Sequence, residues 1–165
     1  MTTRVEHLVA EFEAVNEEII AIVARCSDEE WRRACTGEGW AVGVVAHHIA
    51  TVHRDFLGLI GALAAGQTRS PGSSMANVDQ SNARHACDHA AVGRQETLDA
   101  LRENGAAAAR QLRDLRDEQL DRVAGVFGGH ELSVAQVLEW VVIGHAREHL
   151  ASIRATLDER AVHAD

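Results

Sequence analysis

The stretch Val134 to Leu157, VAQVLEWVVIGHAREHLASIRATL, decides how the rest of the chain is read. At about 100° per residue, Val134, Val137, Leu138, Val141 and Val142 form one apolar stripe, which runs into His145 and His149 and resumes at Ile153 and Leu157. The two histidines therefore lie on the face that packs inward. Residues four apart on a helix have neighbouring Cβ atoms, so both imidazoles can reach one point beside the helix, which is how a helix offers two nitrogens to a metal.

Spacing alone says little, because ten His in 165 residues give roughly 0.6 such pairs by chance. The face matters more. His is buried less often than aliphatic residues, and two on a core stripe leave ring nitrogens that need partners away from water. Those partners are either core carboxylates and carbonyls or a metal, and a third histidine separates the two readings.

A content of 46% hydrophobic and 25% charged residues fits one compact domain over residues 1–165 with a sizeable core. The single Pro and few aromatics, with abundant Ala, Leu, Glu and Arg, favour helix over sheet, so the expected class is all-α. A net charge of -9 without any basic run argues against a nucleic-acid partner. No apolar run is long enough to span a bilayer, and the N-terminal MTTRVEHLVAEFEAVNEE is acidic, so a cytoplasmic protein without membrane attachment is expected. Cys26, Cys35 and Cys87 form no ligand spacing and read as reduced, packed thiols rather than nucleophiles.

Thr2 or Thr3 can cap a first helix to about Arg25, with the stripe Val5, Leu8, Phe12, Val15, Ile19, Ile22 and Val23. Ser27 with Glu30 forms a capping-box pattern for a short turn carrying Trp31, before Gly37 and Gly39 break the chain. A second long helix is expected from about Ala41 to Ala65, its stripe Val45, His48, Ile49, Val52, Phe56, Leu59, Ile60 and Leu63. His48 thus lies on the core line and is the third histidine, His47 points toward the flank, and His53 is intermediate. Three imidazole nitrogens make the donor set of a catalytic zinc site with a position left open.

Gly66 to Asn77, GQTRSPGSSMAN, reads as an exposed loop. A third helical region is expected from Asn77 or Asp79 to about Leu115, with a break near Gly93 and a thin, Ala-rich stripe of Leu98, Leu101, Ala108, Leu112 and Leu115. Gly125 to His130 reads as a turn, and Ser133 with Gln136 as the capping box of the last helix. The sum is a four-helix bundle with a long loop after the second long helix, a fold that often holds metal ligands between facing helices. His85 and His89 are a second i,i+4 pair, but Asn82, Ala86, Gly93 and Glu96 make their face weakly apolar. They read as a chance pair, solvent-exposed or at a cavity rim, whose removal should leave the metal in place.

The segment GWAVGVVAHHIA (Gly39 to Ala50), followed about a hundred residues later by GHAREHLASI (Gly144 to Ile153), resembles the DinB-like metal-binding superfamily. The GW-x-V-x-x-V-A-H start, with VDQSNARHA and RQETLDALR between, resembles its mycothiol-dependent maleylpyruvate isomerase branch. This resemblance implies a four-helix bundle, a homodimer, and a divalent metal on His48, His145 and His149, with His47 the alternative alignment for the first ligand. Ala41 departs from the Ser or Thr that usually caps that helix.

Three neutral imidazoles leave a metal its charge and open positions, so a bound thiol or water would be acidified. The resemblance implies mycothiol or bacillithiol as cosubstrate, hence a thiol S-transferase or thiol-dependent isomerase acting on a small electrophilic substrate. About one divalent metal per chain is expected, zinc first, with nickel, iron and copper also suited to three His. The rivals are a hydrolase using a metal-activated water and a non-catalytic metal- or ligand-binding stress protein. Glu148 and Asp55 are the candidate carboxylates that would orient the ligands, with surface charge as the plainer role for both.

Overall fold

The computed structural model describes residues 2–67, 75–125 and 130–162. Helix α1, Arg4–Arg25, starts at the Thr3–Glu6 capping box, and α2, Asp28–Arg32, at the Ser27–Glu30 box. In each, the hydroxyl accepts from the third helical N–H while the Glu side chain accepts from the cap's own N–H, satisfying two donors that a helix start leaves orphaned. Helix α3, Val42–Ala64, begins at Ala41 without a side-chain cap. Backbone pairing compensates, with an antiparallel bridge between Ala34 and Ala41 and Val42 N–H donating to the Arg33 carbonyl at 2.9 Å.

Helix α4, Met75–Asp88, and helix α5, Arg94–Arg113, divide the third helical region near Gly93, which caps α5. Two three-residue strands, β1 (Val123–Gly125) and β2 (Glu131–Ser133), pair antiparallel. The sequence carries no legible signal for strands this short. The last helix opens at the Ser133–Gln136 capping box with one turn, α6 (Val134–Gln136), passes through a π-helical segment at Val137–Gly144, and continues as α7 (His145–Val162). Of the loop expected over Gly66 to Asn77, residues 68–74 lie outside the described residues, and α4 already begins at Met75. Residues 126–129 of the turn expected over Gly125 to His130 lie outside them as well.

Helices α1, α3, α5 and the last helix form the four-helix bundle, with α4 as a fifth helix beside it. One half of the core gathers Phe12, Leu63, Leu112, Leu138 and Ile143; the other gathers Ile19, Ile49, Leu101 and Ile153. Burying each such side chain contributes about 1.5–3 kcal/mol. The thin α5 stripe serves close packing: a Cβ on Gly105 would collide with the Asn16 side chain of α1, whose amide donates to the Leu101 carbonyl at 3.2 Å. No helix among the described residues is long and apolar enough to cross a membrane.

Candidate metal centre

His48 of α3 and His145 and His149 of α7 meet between the helices. The Nε2 atoms of His48 and His145 are 3.1 Å apart, as are those of His145 and His149, and the three ligand atoms lie within 4.8 Å of one another. Donors 2.0–2.1 Å from one metal are separated by about 3.3 Å at tetrahedral corners and about 2.9 Å at neighbouring octahedral vertices. The observed spacing falls between these values.

The proton count points the same way. His149 Nδ1 donates to Glu38 Oε1 at 2.6 Å, which leaves a lone pair on Nε2 of the neutral ring. The other Glu38 oxygen accepts from Ser152 Oγ, also at 2.6 Å. His145 Nε2 faces two other Nε2 atoms but can donate one proton at most, while its Nδ1 is buried and has no hydrogen-bond partner among the described residues. Three converging Nε2 atoms are therefore incompletely satisfied by one another, and a cation that accepts three lone pairs fits them. Burial, then the neighbouring His149, His85 and His47, pushes His48 down to about 3; burial, then His149, His48 and His53, does the same to His145. Both rings are neutral at pH 7, the form that ligates.

Glu38 reaches this point because the α2–α3 connection is a tight loop. Cys35 N–H donates to the Trp40 carbonyl and Gly39 N–H to the Cys35 carbonyl, both at 2.8 Å, and Gly39 sits at φ 73°, where a Cβ would be strained. From the same loop Trp40 meets His48 edge-on, with ring centroids 5.6 Å apart. Glu38 and Ser152 thus fix the ring and tautomer of His149 as carboxylates do behind metal-bound histidines. Nothing periodic marks Glu38 in the sequence. The carboxylates expected in that role, Glu148 and Asp55, are exposed, and Asp55 pairs with Arg54 at 3.1 Å.

A cleft of about 550 Å³ opens onto His48 and His145. Val52, Phe56, Val78, Trp140 and Val141 give it apolar walls, and Asp55 and Glu148 also line it. Trp140 is 58% exposed, a large apolar surface left uncovered beside the imidazoles. Apolar walls with polar groups such as Thr51, Ser81 and Asn82 among them suit a small organic ligand.

Four other histidines depart from the sequence reading. His53, read as intermediate, is fully in the core, edge-on to Phe12 with centroids 4.8 Å apart, and neither ring nitrogen has a hydrogen-bond partner among the described residues. His47 was expected toward the flank, yet it is buried, because α4 covers that flank. His85 does line the cleft, but it and His89 are half-buried against His47 rather than a chance pair on a free surface. Counting apolar neighbours along α4 misses this, since what α4 faces there is itself polar. Cys26 and Cys35 are buried, as expected, and burial raises both thiols; Cys87, expected to be packed as well, is instead exposed on α4.

Residues 11–153 match the family model of the DinB superfamily. No curated protein matches the chain. Among solved structures the chain is similar to YfiT from Bacillus subtilis, described as a probable metal-dependent hydrolase with an unusual four-helix bundle topology. The TM-score is 0.74 at 19% identity, covering 96% of this chain and 87% of that one. With the family match extending across the bundle, from the first helix through His48, His145 and His149, the chain belongs to the DinB superfamily.

Proposed function

We propose that this protein is a metal-dependent small-molecule enzyme in which His48, His145 and His149 hold a divalent cation, zinc first. The proposed reaction is thiol S-transfer or thiol-dependent isomerisation, with mycothiol or bacillithiol as cosubstrate. The observation that carries this reading is the convergence of three imidazole Nε2 atoms, two of them on rings that line a cleft with apolar walls. When bound, the cation supplies Lewis acidity that lowers the pKa of a thiol or water beside it. The chain's own residues do the rest. Glu38 keeps the proton on His149 Nδ1 and so keeps Nε2 free to ligate, and Ser152 holds Glu38 in place. Val52, Phe56, Trp140 and Val141 offer an apolar bed for the electrophile and displace water from it.

A second reading, hydrolysis, is favoured by one observation: Glu148 and Asp55 line the same cleft and can serve as a general base toward water. The description of YfiT as a probable metal-dependent hydrolase accords with it. Calorimetry of mycothiol and bacillithiol binding, in buffers of different ionisation enthalpy, separates the two. A free thiol of pKa about 8.5 is mostly protonated at pH 7, so thiol chemistry requires buffer-dependent proton release that disappears in His149→Ala. Buffer-independent heat, together with thiol-free turnover of an activated ester that Glu148→Gln abolishes, would establish the hydrolase instead.

A further inference from the structure

Adjacent positions on an α-helix point about 100° apart, so a helix that directs His48 toward α7 directs His47 elsewhere. His47 faces α4, which presents His85 and His89 one turn apart. His47 Nδ1 is 3.3 Å from His85 Nε2, and one ring nitrogen from each of the three lies within 4.8 Å of the others. The geometry points to a second divalent-metal site formed by His47, His85 and His89, beside the first.

The two sets are similar in size, though the rings of the second are stacked or tilted at 25°, 37° and 37° where those of the first meet edge-on at 62°, 89° and 84°. Ring centroids in the second are 5.2, 4.1 and 4.5 Å apart, against 5.1, 5.3 and 4.4 Å in the first. Two imidazoles sharing a cation at 2.0–2.1 Å have centroids about 4.5 Å apart when mutually perpendicular about the metal and about 5.2 Å at a tetrahedral angle, so the 5.2 and 4.5 Å pairs fit as they stand and the 4.1 Å His47–His89 pair has to open slightly on binding. Packing alone accounts poorly for the set. His47 is buried, and the one close nitrogen–nitrogen contact, to His85, leaves His89 without any part in it. An all-imidazole set suits zinc, copper, nickel or iron rather than magnesium or calcium. His48 and His85 are in ring contact, centroids 5.2 Å apart, so the two sites share a wall and the cleft opens onto both.

This inference does not depend on the reaction proposed above, or on the first site being catalytic. Metal-free full-length protein titrated with Co(II), followed by its visible absorption and by elemental analysis after desalting, should bind two equivalents. His85→Ala with His89→Ala should bind one, and so should His48→Ala with His145→Ala, each pair removing a different equivalent. Circular dichroism of each variant monitors the fold, and His89→Gln alone, at a half-exposed position, should weaken one equivalent at least tenfold while leaving the other as in the parent. One equivalent in the parent protein overturns the second site, as does retention of two by the His85/His89 double variant. Loss of both equivalents from that variant with its helix signal intact overturns it as well, because the six histidines would then form one centre.

Discussion

Replacing Glu38 tests the metal centre at the one residue that supports a ligand without being one. Its carboxylate accepts from His149 Nδ1 at 2.6 Å, and the two side chains are only 14% and 16% exposed, so the bond is charge-assisted and poorly screened. Glu38→Gln keeps the volume and an oxygen able to accept the same proton, but removes the charge; Glu38→Ala leaves the Nδ1–H facing a void. Loss of such a supporting partner typically costs 10–100-fold in metal affinity, and at 1.36 kcal/mol per decade that is about 1.4 kcal/mol for Gln and about 2.7 kcal/mol for Ala. The assay is competition with a chromophoric chelator for Zn(II) at pH 7.5, run in the His85→Ala, His89→Ala background so that a single equivalent is read. Affinities within twofold of the parent for both variants would refute the supporting role. A loss as complete as that of His149→Ala would make Glu38 a ligand itself.

His53 gives a pH dependence. Burial lowers it to about 4 from an ordinary 6.5, so the unfolded chain takes up its proton first, and stability falls as the pH drops from about 6.5 toward 4, by about 1.4 kcal/mol per pH unit and about 3 kcal/mol in all. Urea unfolding of metal-free His53→Leu should show that slope reduced by this amount; an unchanged slope would mean His53 is not the group responsible. Ala41→Ser should add the missing cap to α3, worth about 1 kcal/mol and a rise in Tm of about 2–4 °C by calorimetry, and no rise would mean the Ala34–Ala41 bridge already does the work. Gly105→Ala should destabilise by about 1–3 kcal/mol in chemical denaturation, because the new methyl meets Asn16, and a neutral result would show that α1 and α5 can move apart.

The features legible in the sequence are those with a local or periodic cause. Thr3, Ser27 and Ser133 mark helix starts through bonds made within four residues, and the stripes of α1 and α3 announce their buried faces. The set His48, His145 and His149 comes together because each residue can be placed on a face by counting along its own helix. Glu38 was not legible because its partner is 111 residues away and a glycine-flanked loop sets its direction. The His47, His85 and His89 set was not legible because the apolarity of α4's face was the measure, and the surface opposite is a buried histidine. The π-helical segment at Val137–Gly144 left no trace either, since its residues form an acceptable stripe at ordinary helical pitch.

That segment has a bearing on which changes of chain length the protein can absorb. A π-helical stretch, bonded i to i+5, carries roughly one residue more than an α-helical path of the same rise. Shortening Val137–Gly144 by one residue, most simply at solvent-facing Trp140, can therefore relax it to an α-helix with α6 and α7 both keeping their angular phase. The same deletion inside α7, at Ala146, would turn everything beyond it by about 100° and carry His149 away from both Glu38 and His145. Along this one helix, tolerance to deletion should change abruptly at His145, with the slack on the N-terminal side and none between the two histidines.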